Sequence, residues 1–162
     1  MQISVNIQKK SMLSNKSILQ VELVFYKFLK REFPWLKNKE INLSLEFCSS
    51  LKIKKLNNQY RKKNKVTDVL SFPIFQTLRK NSAEIKHLPI LDIGDVIICT
   101  DVAKKQAREF KITLEQENIH LLVHGFLHLL GFDHEKNQRE DKIMFSLEEK
   151  LVKNIYKVLY LK

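Results

Sequence analysis

The sequence predicts an α+β fold, a small mixed sheet packed with helices, on three observations. Its 162 residues are 44% hydrophobic and 29% charged, with three glycines and three prolines, the make-up of one ordinary globular domain spanning residues 1–162. Alternating apolar and polar runs, the period of a half-buried strand, fall within the first hundred residues. Segments with apolar residues every three to four positions separate and follow them. The resulting order, β-α-β-α-β-β-α-α-α, suggests helices laid against one small sheet.

Residues 3–7 alternate and read as a short strand. Residues 15–33 carry Ile18, Val21, Leu23, Val24, Phe25, Phe28 and Leu29 at helical spacing, and Pro34 stops this core helix. Residues 41–48, INLSLEFC, alternate again as a strand. Residues 50–60 form a basic helix in which Leu51, Leu56 and Tyr60 are expected to face inward, followed by a polar loop at 61–65. Strands are expected at 69–75 and 96–100, with the polar stretch 76–87 between them as a mobile loop or an irregular excursion. Thr100 or Asp101 caps a helix reaching about residue 110. Thr113, with Gln116 three residues on as its capping-box partner, opens another that Gly131 stops. A final amphipathic helix covers about residues 138–160.

Lys and Arg number 29 against 18 Asp and Glu, for a net charge of +11, so a polyanion is the first partner to consider. Basic residues recur at Lys52, Lys54, Lys55, Arg61, Lys62, Lys63 and Lys65, and again at Lys104, Lys105, Arg108 and Lys111. They could contact several phosphates if they share a face; a solvated helix face is the plainer account of any one lysine run. Few exposed aromatics are evident for base stacking. No apolar stretch reaches the roughly 20 residues a bilayer demands, and the opening MQISVNIQKK lacks the pattern of a secretion signal. No membrane partner is therefore expected, and the expected location is cytoplasmic. Cys48 and Cys99 each lie in an apolar run with no nearby second cysteine, as buried, reduced thiols would.

Four of the five histidines fall at 120, 124, 128 and 134, in IHLLVHGFLHLLGFDH. Four residues of helix turn by about 400°, so His124 and His128 share a face and bring their imidazoles together. A left-handed residue at Gly131 would end the helix and fold His134 back toward the same point. Three neutral imidazoles with an open fourth position describe a catalytic zinc site, here on a buried helix and the turn after it, as in zincin-like folds. His120, one turn back on the same face, is either an alternative ligand or a partner of the ligands. The spacing H-x-x-x-H-x-x-G-x-x-H is that of metzincin proteases, except that Gly125 stands where those enzymes carry the glutamate acting as general base. Peptidase chemistry would need a carboxylate from elsewhere, and Asp68, Asp95 and Asp133 are the candidates.

HGFLHLLGFDH at 124–134 resembles the signature of the YbeY family of bacterial rRNA maturation factors, with Phe132 in place of the usual tyrosine. LNNQYRKKNKVTDVLSFP at 56–73 and IGDVIIC at 93–99 resemble the family's other two signatures, in the same order and at the same spacing. This resemblance implies a single-strand-specific endoribonuclease acting in 3′ maturation of 16S rRNA and in ribosome quality control, with small-subunit components as partners. It implies one zinc ion per chain, ligated by His124, His128 and His134, and a functional arginine at Arg61. Arg61 is expected to face the metal cleft and hold the scissile phosphate. DNA is not an expected substrate, and oligomeric state is left open. Two other classes compete: a zinc hydrolase of another kind, such as a peptidase or amidase, and a non-catalytic ribosome-assembly factor in which metal only stabilises the fold.

Overall fold

The computed structural model describes residues 2–7 and 12–160; positions 1, 8–11 and 161–162 lie outside the described residues. Four strands form one sheet in the order β1-β2-β4-β3: β1 Gln2–Ile7, β2 Glu40–Cys48, β3 Val69–Pro73 and β4 Ile90–Cys99. β1 and β2 pair in parallel, as do β2 and β4, while β3 runs antiparallel to β4. The sheet is therefore mixed, and each parallel pair requires a long crossover.

The first crossover is α1, Asn15–Glu32. The Ser14 side chain accepts the Ser17 amide at its N-terminus, and Pro34 opens a single 3₁₀ turn, Pro34–Leu36, just beyond its end. Val21, Phe25, Phe28 and Leu29 of α1 join Ile41, Leu43, Leu45 and Phe47 of β2 in the main core. On this same face lie α5, Leu114–Leu129, and α6, Gln138–Leu159. The Phe25 and Phe126 rings stack at 3.7 Å and 6°, locking α1 to α5. The opposite face is covered by α2, Ser50–Arg61, with α4, Thr100–Glu109, beside it. A smaller cluster there contains Ile53, Leu70 and Ile97 with Cys48 and Cys99, which are buried free thiols.

Four local readings of the sequence are corrected. In α2, Leu51 and Tyr60 are exposed, while Ile53 and Asn57 are buried. A polar residue sits in the inward stripe because the Asn57 amide donates to the Lys65 carbonyl at 2.9 Å, tying the basic loop to the helix. β3 stops at Pro73, two residues short of the expected end, and Phe75 turns into the core. β4 starts at Ile90, well before residue 96, and it carries an extra residue: Asn42 pairs with Asp92, but Ser44 pairs with Asp95. The bulge breaks the alternation and leaves both aspartates exposed. The stretch 76–87 contains a short helix, α3 Ala83–Lys86, and two wholly buried residues, Leu78 and Ile85. Buried Lys39 donates to the carbonyls of Ile85, Lys86 and Leu88 at the end of that helix, so the segment is anchored to the domain.

The cap of α4 differs too. Cys99 is the N-cap residue, and Asp101 instead accepts the amide and hydroxyl of Ser50, joining the starts of α2 and α4. The two lysine-rich helices therefore adjoin, with Lys52, Lys54, Lys55, Lys104, Lys105 and Arg108 all exposed. Among aromatics, Tyr60, Phe110 and Phe145 are each more than half exposed, more than the sequence suggests. No helix among the described residues is long and apolar enough to cross a membrane.

Candidate metal centre

The site begins with α5, whose N-terminus is fixed by the expected capping box between Thr113 and Gln116. Leu122, Val123, Phe126, Leu127 and Leu129 are buried around it, so its register against the sheet is set by apolar contact on several sides. Gly125 allows that approach. A Cβ there would lie 2.6 Å and 2.8 Å from the two methyls of Val96 on β4 and 3.1 Å from the Ser71 hydroxyl. The metzincin glutamate has no room at this position, because helix and strand meet where its side chain would start. Replacing Gly125 with Ala is expected to destabilise the fold by about 1–3 kcal/mol; denaturant unfolding of the two proteins measures it, and equal stability would contradict this packing.

At its C-terminus α5 closes with a Schellman turn. The Gly131 amide donates to the His128 carbonyl at 3.0 Å and the Phe132 amide to the Leu127 carbonyl at 3.1 Å, with Gly131 left-handed at φ +94°. A side chain at 131 would also meet Thr77, with its Cα at 3.0 Å. The reversal carries His134 back over the helix end. The Nε2 atoms of His124 and His128 lie 3.1 Å apart, and one ligand nitrogen from each of His124, His128 and His134 lies within 4.8 Å of the others. Nitrogens around a tetrahedral zinc at about 2.0–2.1 Å stand roughly 3.3–3.4 Å apart. The three half-buried imidazoles thus supply the donor set of an open metal site, with the His124–His128 pair near that separation and His134 within 4.8 Å.

Burial, then the neighbouring rings of His124 and His134, push the His128 imidazole down to about 4. It is neutral at pH 7 and ready to ligate. In the metal-free protein the consequence for stability has a definite sign. The unfolded chain takes up the His128 proton near 6.5 and the folded chain only near 4, so stability falls as pH drops through that window. Melting of the chelated protein should show this loss, and His128→Gln should lose less; identical pH profiles would contradict it.

One residue of the constellation was not legible in the sequence. Glu148 of α6 places Oε2 2.7 Å from His124 Nδ1 and Oε1 2.6 Å from His120 Nε2. Burial alone would raise its carboxyl, but hydrogen bonds from His120 and His124 outweigh that and hold it down at about 2. His120 lies between Glu117 and Glu148, and these two carboxylates raise its imidazole to about 10. Both His120 ring nitrogens thus face carboxylates, and His120 is not one of the three grouped histidines. Nothing in the spacing of α6 marks Glu148, which only the packing of α6 on α5 brings near. Arg79 was missed as well. It lies 4.5 Å over the Phe132 ring and pairs with Glu140 at 2.6 Å, pinning the metal turn to the start of α6.

The imidazoles open into a cleft of about 810 Å³ lined also by Arg61, Asp68, Ser71 and Lys136. Arg61 ends α2, where Lys62 takes a left-handed cap. Its ionic neighbour among the described residues is Glu135, 3.8 Å away and exposed, a weak tether for a guanidinium. The three candidate aspartates separate. Asp68 is half-buried in the cleft, but its carboxylate accepts from Val69 N at 2.8 Å and Gln106 Nε2 at 3.0 Å. Asp133 accepts the Glu135 amide at 2.9 Å within the turn. Asp95 lines a separate small depression with Asn42 and Asp92. Among the described residues, the group that could hold a metal contains the three histidines and no carboxylate.

A family described as Endoribonuclease YbeY matches residues 3–156 of the chain. A Persephonella marina protein named Endoribonuclease YbeY is 45% identical over 118 residues, covering 73% of this chain and 71% of that one. A Sulfurihydrogenibium protein of the same name is 39% identical over 148 residues, covering 89% and 91%. The solution structure of a Thermotoga maritima protein is similar with a TM-score of 0.60 and 26% identity, over 96% of this chain and 91% of that one.

Proposed function

The chain belongs to the Endoribonuclease YbeY family, and from that premise we propose that it is a zinc-dependent endoribonuclease, a single domain over residues 1–162. Its proposed substrate is single-stranded RNA, with the 3′ end of 16S rRNA as the physiological target and ribosome quality control as the wider task. Small-subunit components are its proposed partners, and the cytoplasm its location. The observation that carries the reading is the three-histidine group at the base of a cleft with Arg61 on its wall.

His124, His128 and His134 would hold one zinc ion per chain. Such an ion supplies Lewis acidity toward a phosphoryl oxygen or a water, the chemistry phosphodiester cleavage needs. Arg61 does the remaining electrostatic work, since its fork of N–H groups can bond two oxygens of one phosphate and favour the charge that builds there. Its weak tether to Glu135 leaves it free to take that ligand. Lys136 on the same wall and the paired basic helices α2 and α4 would hold flanking phosphates. With Gly125 packed on Val96 there is no protease-type glutamate, which disfavours the peptidase or amidase alternative. A water or the adjoining ribose 2′-hydroxyl can serve as nucleophile without it.

The test is to offer zinc-loaded protein a labelled single-stranded RNA and the same sequence as a duplex. Cleavage of the single strand with the duplex spared is expected. Intact RNA in both cases, with zinc bound, would favour the non-catalytic assembly factor, and equal cutting of both would contradict strand selectivity. RNA affinity should also fall at least tenfold between about 50 and 200 mM salt, as counterion release requires when several phosphates are contacted. Affinity independent of salt would contradict a basic phosphate-binding surface.

A further inference from the structure

We propose that Glu148 is the positioning residue of the metal centre: its carboxylate, shared between His120 and His124, holds the His124 ring with its proton on Nδ1 and its Nε2 turned to the ion. The proposal rests on the metal-site reading of the three histidines.

The geometry has four members in a row. Glu117, His120 and His124 stand on one face of α5, and Glu148 reaches them from α6. Glu148 Oε2 lies 2.7 Å from His124 Nδ1, Oε1 lies 2.6 Å from His120 Nε2, and His120 Nδ1 lies 3.8 Å from Glu117 Oε2. Both side-chain carboxylates are sheltered, Glu148 at 14% exposure and Glu117 at 1%. Each oxygen of Glu148 therefore has its own ring nitrogen, and Glu148 is not among the residues grouped as able to hold the ion. Because a carboxylate only accepts, the His124 nitrogen facing it must carry the proton, which leaves Nε2 as the lone pair. That Nε2 is the atom 3.1 Å from His128. An apolar side chain would pack α6 on α5 without desolvating a charge. A carboxylate aimed at a ligand's second nitrogen is instead the arrangement that fixes a metal-binding imidazole and raises its basicity.

The test uses the full chain stripped of metal. Nitrogen-15 NMR of the histidine rings is expected to show His124 as the Nδ1–H tautomer, and a competing chelator dye is expected to show zinc binding 10- to 100-fold weaker in Glu148→Gln and in Glu148→Ala. Circular dichroism of the metal-free variants establishes that they are folded at the titration temperature. If Glu148→Ala does not fold, Glu148→Gln and the tautomer of the parent protein decide. An Nε2–H tautomer in the parent, or zinc affinity of folded Glu148→Gln within twofold of the parent, would overturn the role given to Glu148. A parent protein that takes up no zinc would overturn the metal-centre reading itself.

Discussion

Replacing His128 with Ala is expected to remove zinc binding and RNA cleavage together. His128 contributes one of three imidazole nitrogens that converge within 4.8 Å, and its Nε2 lies 3.1 Å from that of His124. Two imidazoles cannot retain an ion in an open site as three do, so the loss should exceed the ~10–100-fold that removal of an outer partner costs. Zinc content should fall from about one ion per chain to near zero, and cleavage to the level of chelated protein. The fold should survive. The main core of α1, α5, α6 and the sheet is apolar and contains none of the ligand side chains. Elemental analysis, an RNA cleavage assay and circular dichroism on one preparation separate these effects. Retained zinc with lost cleavage would mean that His128 acts on RNA and not as a ligand.

The second large effect falls on Arg61. Arg61→Ala is expected to reduce cleavage by ~10²–10³-fold, the usual cost of removing one preorganised donor from a transition-state charge, with zinc content unchanged. The substitution removes an exposed side chain whose ionic neighbour is Glu135 at 3.8 Å, so folding should be unaffected. Arg61→Lys should recover only part of the activity, because an ammonium keeps the charge and loses the two-pronged geometry. Single-turnover cleavage of the parent and both variants measures this. Normal turnover in Arg61→Ala would place the arginine outside the chemistry.

The sequence was most informative where the chemistry is local. The convergence of the three histidines needs only a helix, a four-residue spacing and a glycine turn, and all three are written contiguously between His124 and His134. The mixed sheet and the helices around it were likewise legible from period and caps. The misread elements are those settled by distant parts of the chain. The strand at 90–99 was half hidden because its bulge near Gly94 spoils the alternation, and the need for glycine there lies in the Phe72 carbonyl against which a Cβ would press. The inward face of α2 was misassigned because Asn57 is buried by a bond to Lys65, a polar residue in an apolar stripe. The segment 76–87 is anchored from Lys39, far back in the chain. Glu148 carries no local signal, since its partners lie on another helix 24 and 28 residues away. Gly125 leaves the helix without a protease-type general base, and the structure adds the reason: Val96 of β4 occupies the space a side chain would take.

The central claim is that the three histidines hold a metal on which RNA cleavage depends. The most direct measurement follows a 5′-labelled single-stranded RNA with zinc-loaded protein, with the same protein after chelation and dialysis, and after one equivalent of zinc is returned. Cleavage that disappears on chelation and returns with zinc is the predicted result. Cleavage that continues undiminished in protein shown to be free of metal would contradict the account.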